Sequence, residues 1–181
     1  MKKLVITLCA VLLFLFIITG GLKHEQEIKE STSCTEGVFT FDIPVGFILD
    51  EKDYEDGRTY YISTEFGEAS KVIYDHQPKV NSVDEINLDQ VVEETNLWLR
   101  EEYLVNSKSY IEASSVEMVG EAKVLRYTIA YNLLSAVVTH HHIYHEIDGK
   151  VEHLEYTCVE EEGYNTSFQA YYDGVKYGED I

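Results

Sequence analysis

The chain has 181 residues, 45% of them hydrophobic, and a formal net charge of −19 at pH 7. That length suits one domain plus a terminal segment, and the apolar content is enough for a sizeable core. A surface this acidic repels nucleic acid and anionic headgroups, which excludes nucleic-acid binding; its plainest consequence is solubility.

Met1-Lys2-Lys3 and the unbroken apolar run Leu4 to Thr19 have the form of a secretory signal peptide or an uncleaved N-terminal anchor. Thr19-Gly20-Gly21 supplies small residues for cleavage, while the run approaches the roughly 20 residues that cross a bilayer. Lys2 and Lys3 hold the N-terminus in the cytoplasm, so the bulk of the chain is expected outside, secreted or anchored to the cell membrane. Contact with the membrane is then confined to residues 1–21. Residues 22–36 are polar and without apolar periodicity, and read as a flexible tether to a single domain at 37–181. Cys9 falls in the export segment. Cys34 and Cys158 remain, and in an oxidising space they either pair or stay as two small apolar side chains.

Val38 to Pro44 alternates, with Phe39, Phe41 and Ile43 on one side, so it reads as a strand ended by Pro44 and Gly46. Asp50 to Gly57 is an acidic loop. Arg58–Thr64 and Ala69–Tyr74 read as strands joined around Phe66-Gly67. Leu88, Val91, Val92, Thr95, Trp98, Leu99 and Tyr103 recur every three or four residues and predict an amphipathic helix over Val83–Val105, with Trp98 as a core anchor. Ser82 with Glu85, or Asn87 with Gln90, supplies its N-terminal cap. Ile111–Met118 and Ala122–Tyr131 read as strands meeting at Gly120-Glu121.

Val137 to Glu160 reads as one long hairpin, expected at the centre of the sheet. Asp148-Gly149 suits a two-residue turn in which both residues take positive φ. Pairing Ile147 with Lys150 puts His145 opposite Glu152, Tyr144 opposite His153, Ile143 opposite Leu154, His142 opposite Glu155 and His141 opposite Tyr156. Alternation then gives a core face of Val137, His141, Ile143, Ile147, Leu154, Tyr156 and Cys158. His140, His142, Tyr144, Glu146, His153 and Glu155 form the other face, too polar for deep core. Phe168, Tyr171, Tyr172 and Val175 are at helical spacing and predict a short closing helix capped by Asn165.

The fold class is therefore α+β: an antiparallel sheet with one long amphipathic helix and a short C-terminal helix. This order resembles the PsbP-like fold. The likeness is carried by Phe39-Thr-Phe-Asp-Ile-Pro-Val-Gly-Phe47, the helix before Tyr103, the strand after Gly120, the Asp148-Gly149-Lys150 hairpin and the Phe168 helix. It spans about residues 37 to 178. The resemblance implies a sandwich found in exported accessory proteins of photosystem II and small bacterial envelope proteins, which mostly bind or assist assembly. It brings no catalytic motif.

His140, His142, Glu146, His153 and Glu155 are the candidate metal ligands, because imidazole nitrogens and carboxylates suit zinc or another divalent transition metal. The competing reading is a solvated face of cross-strand contacts. His140-x-His142-x-x-x-Glu146 also resembles part of the first metal motif of cupins, without its flanking glycines or a second motif. G-x-S-x-G, H-E-x-x-H, C-x-x-C and phosphate-binding glycine loops are absent from the sequence. Tyr54, Tyr60, Tyr61, Tyr164, Tyr171, Tyr172 and Tyr177 are candidates to line a groove. The sequence thus points to a non-enzymatic extracytoplasmic domain without a resident cofactor that binds an envelope protein or small ligand. Divalent metal binding, or a metal-dependent activity, at the histidine-rich face is the alternative.

Overall fold

The computed structural model describes residues 31–50, 56–103, 106–133, 136–160 and 168–178. Among these, the strands are β1 (Thr32–Glu36), β2 (Phe39–Ile43), β3 (Phe47–Leu49), β4 (Arg58–Ser63) and β5 (Gly67–Asp75), then a 3-10 turn (Val83–Glu85) and α1 (Leu88–Glu102). After these come β6 (Tyr110–Val119), β7 (Ala122–Leu133), β8 (Ala136–Ile147), β9 (Lys150–Glu160), α2 (Gln169–Asp173) and β10 (Lys176–Tyr177). A seven-stranded antiparallel sheet has the order β3-β4-β5-β9-β8-β7-β6, and a small sheet has the order β1-β2-β10.

The β8–β9 hairpin takes the central place expected of it. Asp148 and Gly149 both adopt positive φ, +51° and +70°, as a two-residue turn matched to strand twist requires. The register is the one that turn dictates: Ile147↔Lys150, Tyr144↔His153, His142↔Glu155 and His141↔Tyr156. Ile143, Leu154, Tyr156 and Cys158 pack with Phe39, Phe41 and Ile43 of β2 and with Phe168, Tyr172 and Val175 around α2. The small sheet and α2 therefore cover one face of the large sheet. Fully burying one such side chain is worth about 1.5–3 kcal/mol, and this layer holds the largest of the buried clusters among the described residues.

The other face lies under α1. Val83, Leu125, Tyr127 and Ile129 form a second cluster with Leu88, Val91 and Val92 packed against it, and Leu99 meets Tyr131 and Val138 in a third. This face is drier than its polar residues suggested: His153 is only 7% exposed. The polar side chains tolerate burial because they stack. Tyr127 on His142 (4.6 Å), Tyr144 on His153 (4.2 Å) and Tyr131 on His140 (5.6 Å) make a cross-strand ladder of near-parallel rings.

Several elements differ from the sequence-based expectations. The last residues of the expected tether, Thr32–Glu36, form β1, an outer strand of the small sheet, by pairing antiparallel with β2 from Phe39 to Ile43. The expected helix over Val83–Val105 is split. Ser82 caps the 3-10 turn by accepting from the Asp84 N–H, the chain is extended at Ile86 and Asn87, and Asn87 then caps α1 by accepting from the Asp89 and Gln90 N–H groups. An asparagine side chain that satisfies these backbone donors starts a new helix rather than continuing an old one. Trp98 is not a core anchor: it is 40% exposed at the rim of α1, edge-on to Tyr103 and Tyr131. Cys34 and Cys158 are not joined; the Cys34 Sγ lies 3.3 Å from the Tyr61 hydroxyl. Among the groove tyrosines, Tyr61 and Tyr172 are buried, whereas Tyr54 and Tyr164 lie outside the described residues. The apolar run Leu4 to Thr19, the Asn165 cap and most of the acidic loop also lie outside them. Among the described residues no helix is long and apolar enough to cross a membrane.

Candidate functional site

Three adjacent strands build the site. β8 projects His140 and His142 from alternate positions on the face under α1, and β9 brings Glu155 directly opposite His142. β7 adds Tyr127 and Ile129, which lie opposite His142 and His140. Val91, Thr95 and Trp98 of α1 roof the space, leaving a cavity of about 400 Å³ with His140, His142 and Glu155 among its walls. One donor atom from each of these three side chains lies within 4.8 Å of the others.

A hydrogen-bond network fixes the three. The His140 Nδ1 is 2.8 Å from Glu155 Oε1, and the Thr157 hydroxyl donates to the same oxygen at 2.7 Å. The Tyr131 hydroxyl lies 3.1 Å from His140 Nε2. With Tyr131 donating to Nε2, the ring proton sits on Nδ1 and is given to Glu155. The His142 Nδ1 lies 3.9 Å from Glu155 Oε2 and 3.0 Å from His153 Nε2.

Burial sets the charge states. It pushes His142 down to about 3, against the pull of Glu155, and His153 down to about 4, against Glu155 and Asp75. Burial alone would raise the Glu155 carboxyl, but His142, His140 and His153 outweigh it and hold the group well below the usual carboxylate range. His142 and His153 are thus neutral beside an ionised carboxylate that receives the Thr157 hydroxyl. Those are the protonation states a divalent metal needs. Two ligands at about 2.1 Å on a tetrahedral metal stand about 3.4 Å apart; here His140 Nδ1 is 2.8 Å from one oxygen of Glu155 and His142 Nδ1 is 3.9 Å from the other.

Of the five expected ligands, the structure brings together His140, His142 and Glu155. His153 stands next to His142 as its hydrogen-bond partner. Glu146 is separate: its Oε2 accepts from the Ser82 hydroxyl at 2.9 Å and the Val83 N–H at 2.7 Å, anchoring the 3-10 turn. It shares the strand face of His140 and His142 but is drawn to the Val83 N–H and the Ser82 hydroxyl at the far end. The open seven-stranded sheet likewise removes the cupin reading, which needs a barrel. Thr157, Tyr131 and Trp98 were missed as site residues. Continuing the hairpin register by one pair places Thr157 opposite His140; Tyr131 and Trp98 arrive through β7 and α1, whose placement no local pattern encodes.

No family model matches the chain, and no curated protein matches it. Among solved structures it is similar to the solution structure of cyanobacterial PsbP (CyanoP) from Synechocystis sp. PCC 6803. The TM-score is 0.54 at 11% identity, over 84% of this chain and 95% of that one. Similarity over most of both chains at so low an identity speaks to backbone alone, and it agrees with the antiparallel sheets, the long helix and the closing helix described above. The chain has a PsbP-like fold.

Proposed function

We propose that this chain is a non-enzymatic extracytoplasmic binding domain whose ligand is a divalent transition metal, held by His140, His142 and Glu155. The convergence of their donor atoms within 4.8 Å on one cavity wall carries the reading. The extracytoplasmic part rests on the basic start and apolar run of residues 1–21. His140 would ligate through Nδ1, with its ring proton on Nε2 and given to the Tyr131 oxygen 3.1 Å away, the outer-shell contact that would orient a ligating imidazole. Thr157 does the same for the carboxylate. Neighbouring stacked rings keep the imidazoles aligned, so the cost of ordering the ligands is met largely before the metal arrives.

Zinc titrated calorimetrically into the purified full chain tests this. One-to-one binding is expected, weakened by at least about tenfold in Glu155→Gln and lost in His140→Ala/His142→Ala. Equal weak binding by all three proteins defeats the reading and leaves the cluster as a packed polar ladder.

A further inference from the structure

β6 is the outer strand of the large sheet. β7 pairs with one of its sides, and no described element pairs with the other. The opposite edge, β3, is 3 residues long, whereas β6 has 10. An unpaired strand presents a row of N–H and C=O groups that templates another strand, and edges are normally blunted by shortness, lysine, proline or a bulge. The sequence of β6, YIEASSVEMV, has no lysine, arginine or proline. Its register slips once, between Ile111 and Ala113, and then runs regularly from Ala113 to Val119.

The two faces of that regular stretch differ in chemistry. Ser114, Val116 and Met118 lie opposite Tyr127, Leu125 and Lys123, on the α1 side of the sheet. Val116 and Met118 are 59% and 64% exposed. Ser115 and Glu117 lie on the other side and help line a hollow of about 350 Å³ that Tyr172 and Asp173 complete. The cation in that hollow, Arg126, is already engaged: its guanidinium donates to the Tyr172 carbonyl and lies 4.2 Å over the Tyr172 ring. Glu117 and Asp173 outnumber that one cation, so the hollow is net acidic by one formal charge (two carboxylates against one guanidinium), on a chain of net charge −19.

We infer that β6 docks an extended strand of a partner protein in which apolar and basic residues alternate. Its backbone completes the hydrogen bonds of β6. Its apolar side chains lie over Val116 and Met118, and its lysines or arginines reach the hollow beside Glu117 and Asp173. A second copy of this chain is the poorer occupant. Two β6 strands side by side bring Glu112 and Glu117 of both copies into one strip, between two strongly acidic bodies.

The test uses a short fluorescent peptide alternating valine and lysine, titrated against the full chain at low ionic strength, with a valine–glutamate peptide alongside. The lysine peptide is expected to bind, and the glutamate peptide to bind at least about tenfold more weakly. Glu117→Lys should weaken the lysine peptide by a similar factor, and Met118→Lys should do so through the apolar face. Both positions are exposed, and circular dichroism checks that each variant folds. Hydrogen exchange of the complex should protect β6 amides and leave α1 amides unchanged. Equal affinity for the wild-type protein and both variants overturns the inference. Protection away from β6 also overturns it, by showing a general attraction to an acidic surface. A β6-dependent dimer seen by sedimentation would do the same by making a second copy the occupant.

Discussion

Acid should destabilise the metal-free protein steeply, because the fold buries histidines in neutral form. His141 and His153 are pushed down to about 4 and His142 to about 3, in each case chiefly by burial. His141 faces the Thr128 hydroxyl and Tyr172, with Asp173 opposing the shift and His140 adding to it. His153 faces His142, Glu155 and Asp75, with Arg58 beyond. In the unfolded chain each imidazole titrates near 6.5. The folded values lie below the unfolded ones, so below about pH 6.5 the unfolded state binds more protons and stability falls with pH. The loss levels off near pH 4 for His141 and His153 and near pH 3 for His142. At about pH 5 each group costs about 2 kcal/mol relative to neutral pH, and the three together at most about 6 kcal/mol. Against a typical total of about 5–15 kcal/mol, that brings the domain close to unfolding. Urea unfolding with a chelator present, at about pH 7.5, 6 and 5, measures it. The midpoint should fall with an unchanged slope, and His153→Gln should remove about 2 kcal/mol of the pH dependence. Equal stability at pH 7.5 and 5 would refute the claim that these rings are buried and neutral.

Other substitutions check particular parts of the structure. Glu146→Ala should cost about 1–3 kcal/mol, by orphaning the Val83 N–H and the Ser82 hydroxyl, and leave zinc affinity unchanged in the same calorimetric titration. Leu154→Ala, at a fully buried position beneath the small sheet, should cost about 2–5 kcal/mol in urea unfolding. Trp98→Ala should cost only about 1 kcal/mol, since its ring is exposed at the cavity rim; a loss of about 3–5 kcal/mol would return it to the core. Gly149→Ala should cost about 1 kcal/mol in thermal unfolding, where the open space around its Cβ position leaves backbone strain as the only cause.

The hairpin shows how far local chemistry reaches. Asp148-Gly149 needs two positive φ values, and once that turn is set the pairing of His142 with Glu155 and Tyr144 with His153 follows by counting. Counting also placed His140, His142, Glu155 and Glu146 on one face, but a shared face is not a shared site. Glu146 had the Val83 N–H of the 3-10 turn within reach, and a buried N–H without an acceptor costs more than a ligand position left unused. The helix failed as a single element for a related reason: Ser82 and Asn87 were read as alternative caps of one helix, whereas each satisfies backbone donors of its own, Ser82 at the 3-10 turn and Asn87 at α1, where the apolar stripe begins with Leu88.

What the sequence determined by itself is what period and turn set: the hairpin strands and their register across Asp148-Gly149, an amphipathic helix, the α+β class and the shared face of His140, His142 and Glu155. The tertiary structure alone decided which face of the sheet each layer covers, and with it the roof of α1 over His140 and His142. It also decided the exposure of Trp98, the pairing of β1 with β2, and the burial that keeps His142 and His153 neutral. These depend on contacts between residues far apart in the chain, whose energies are collective and non-directional, so no local spacing records them.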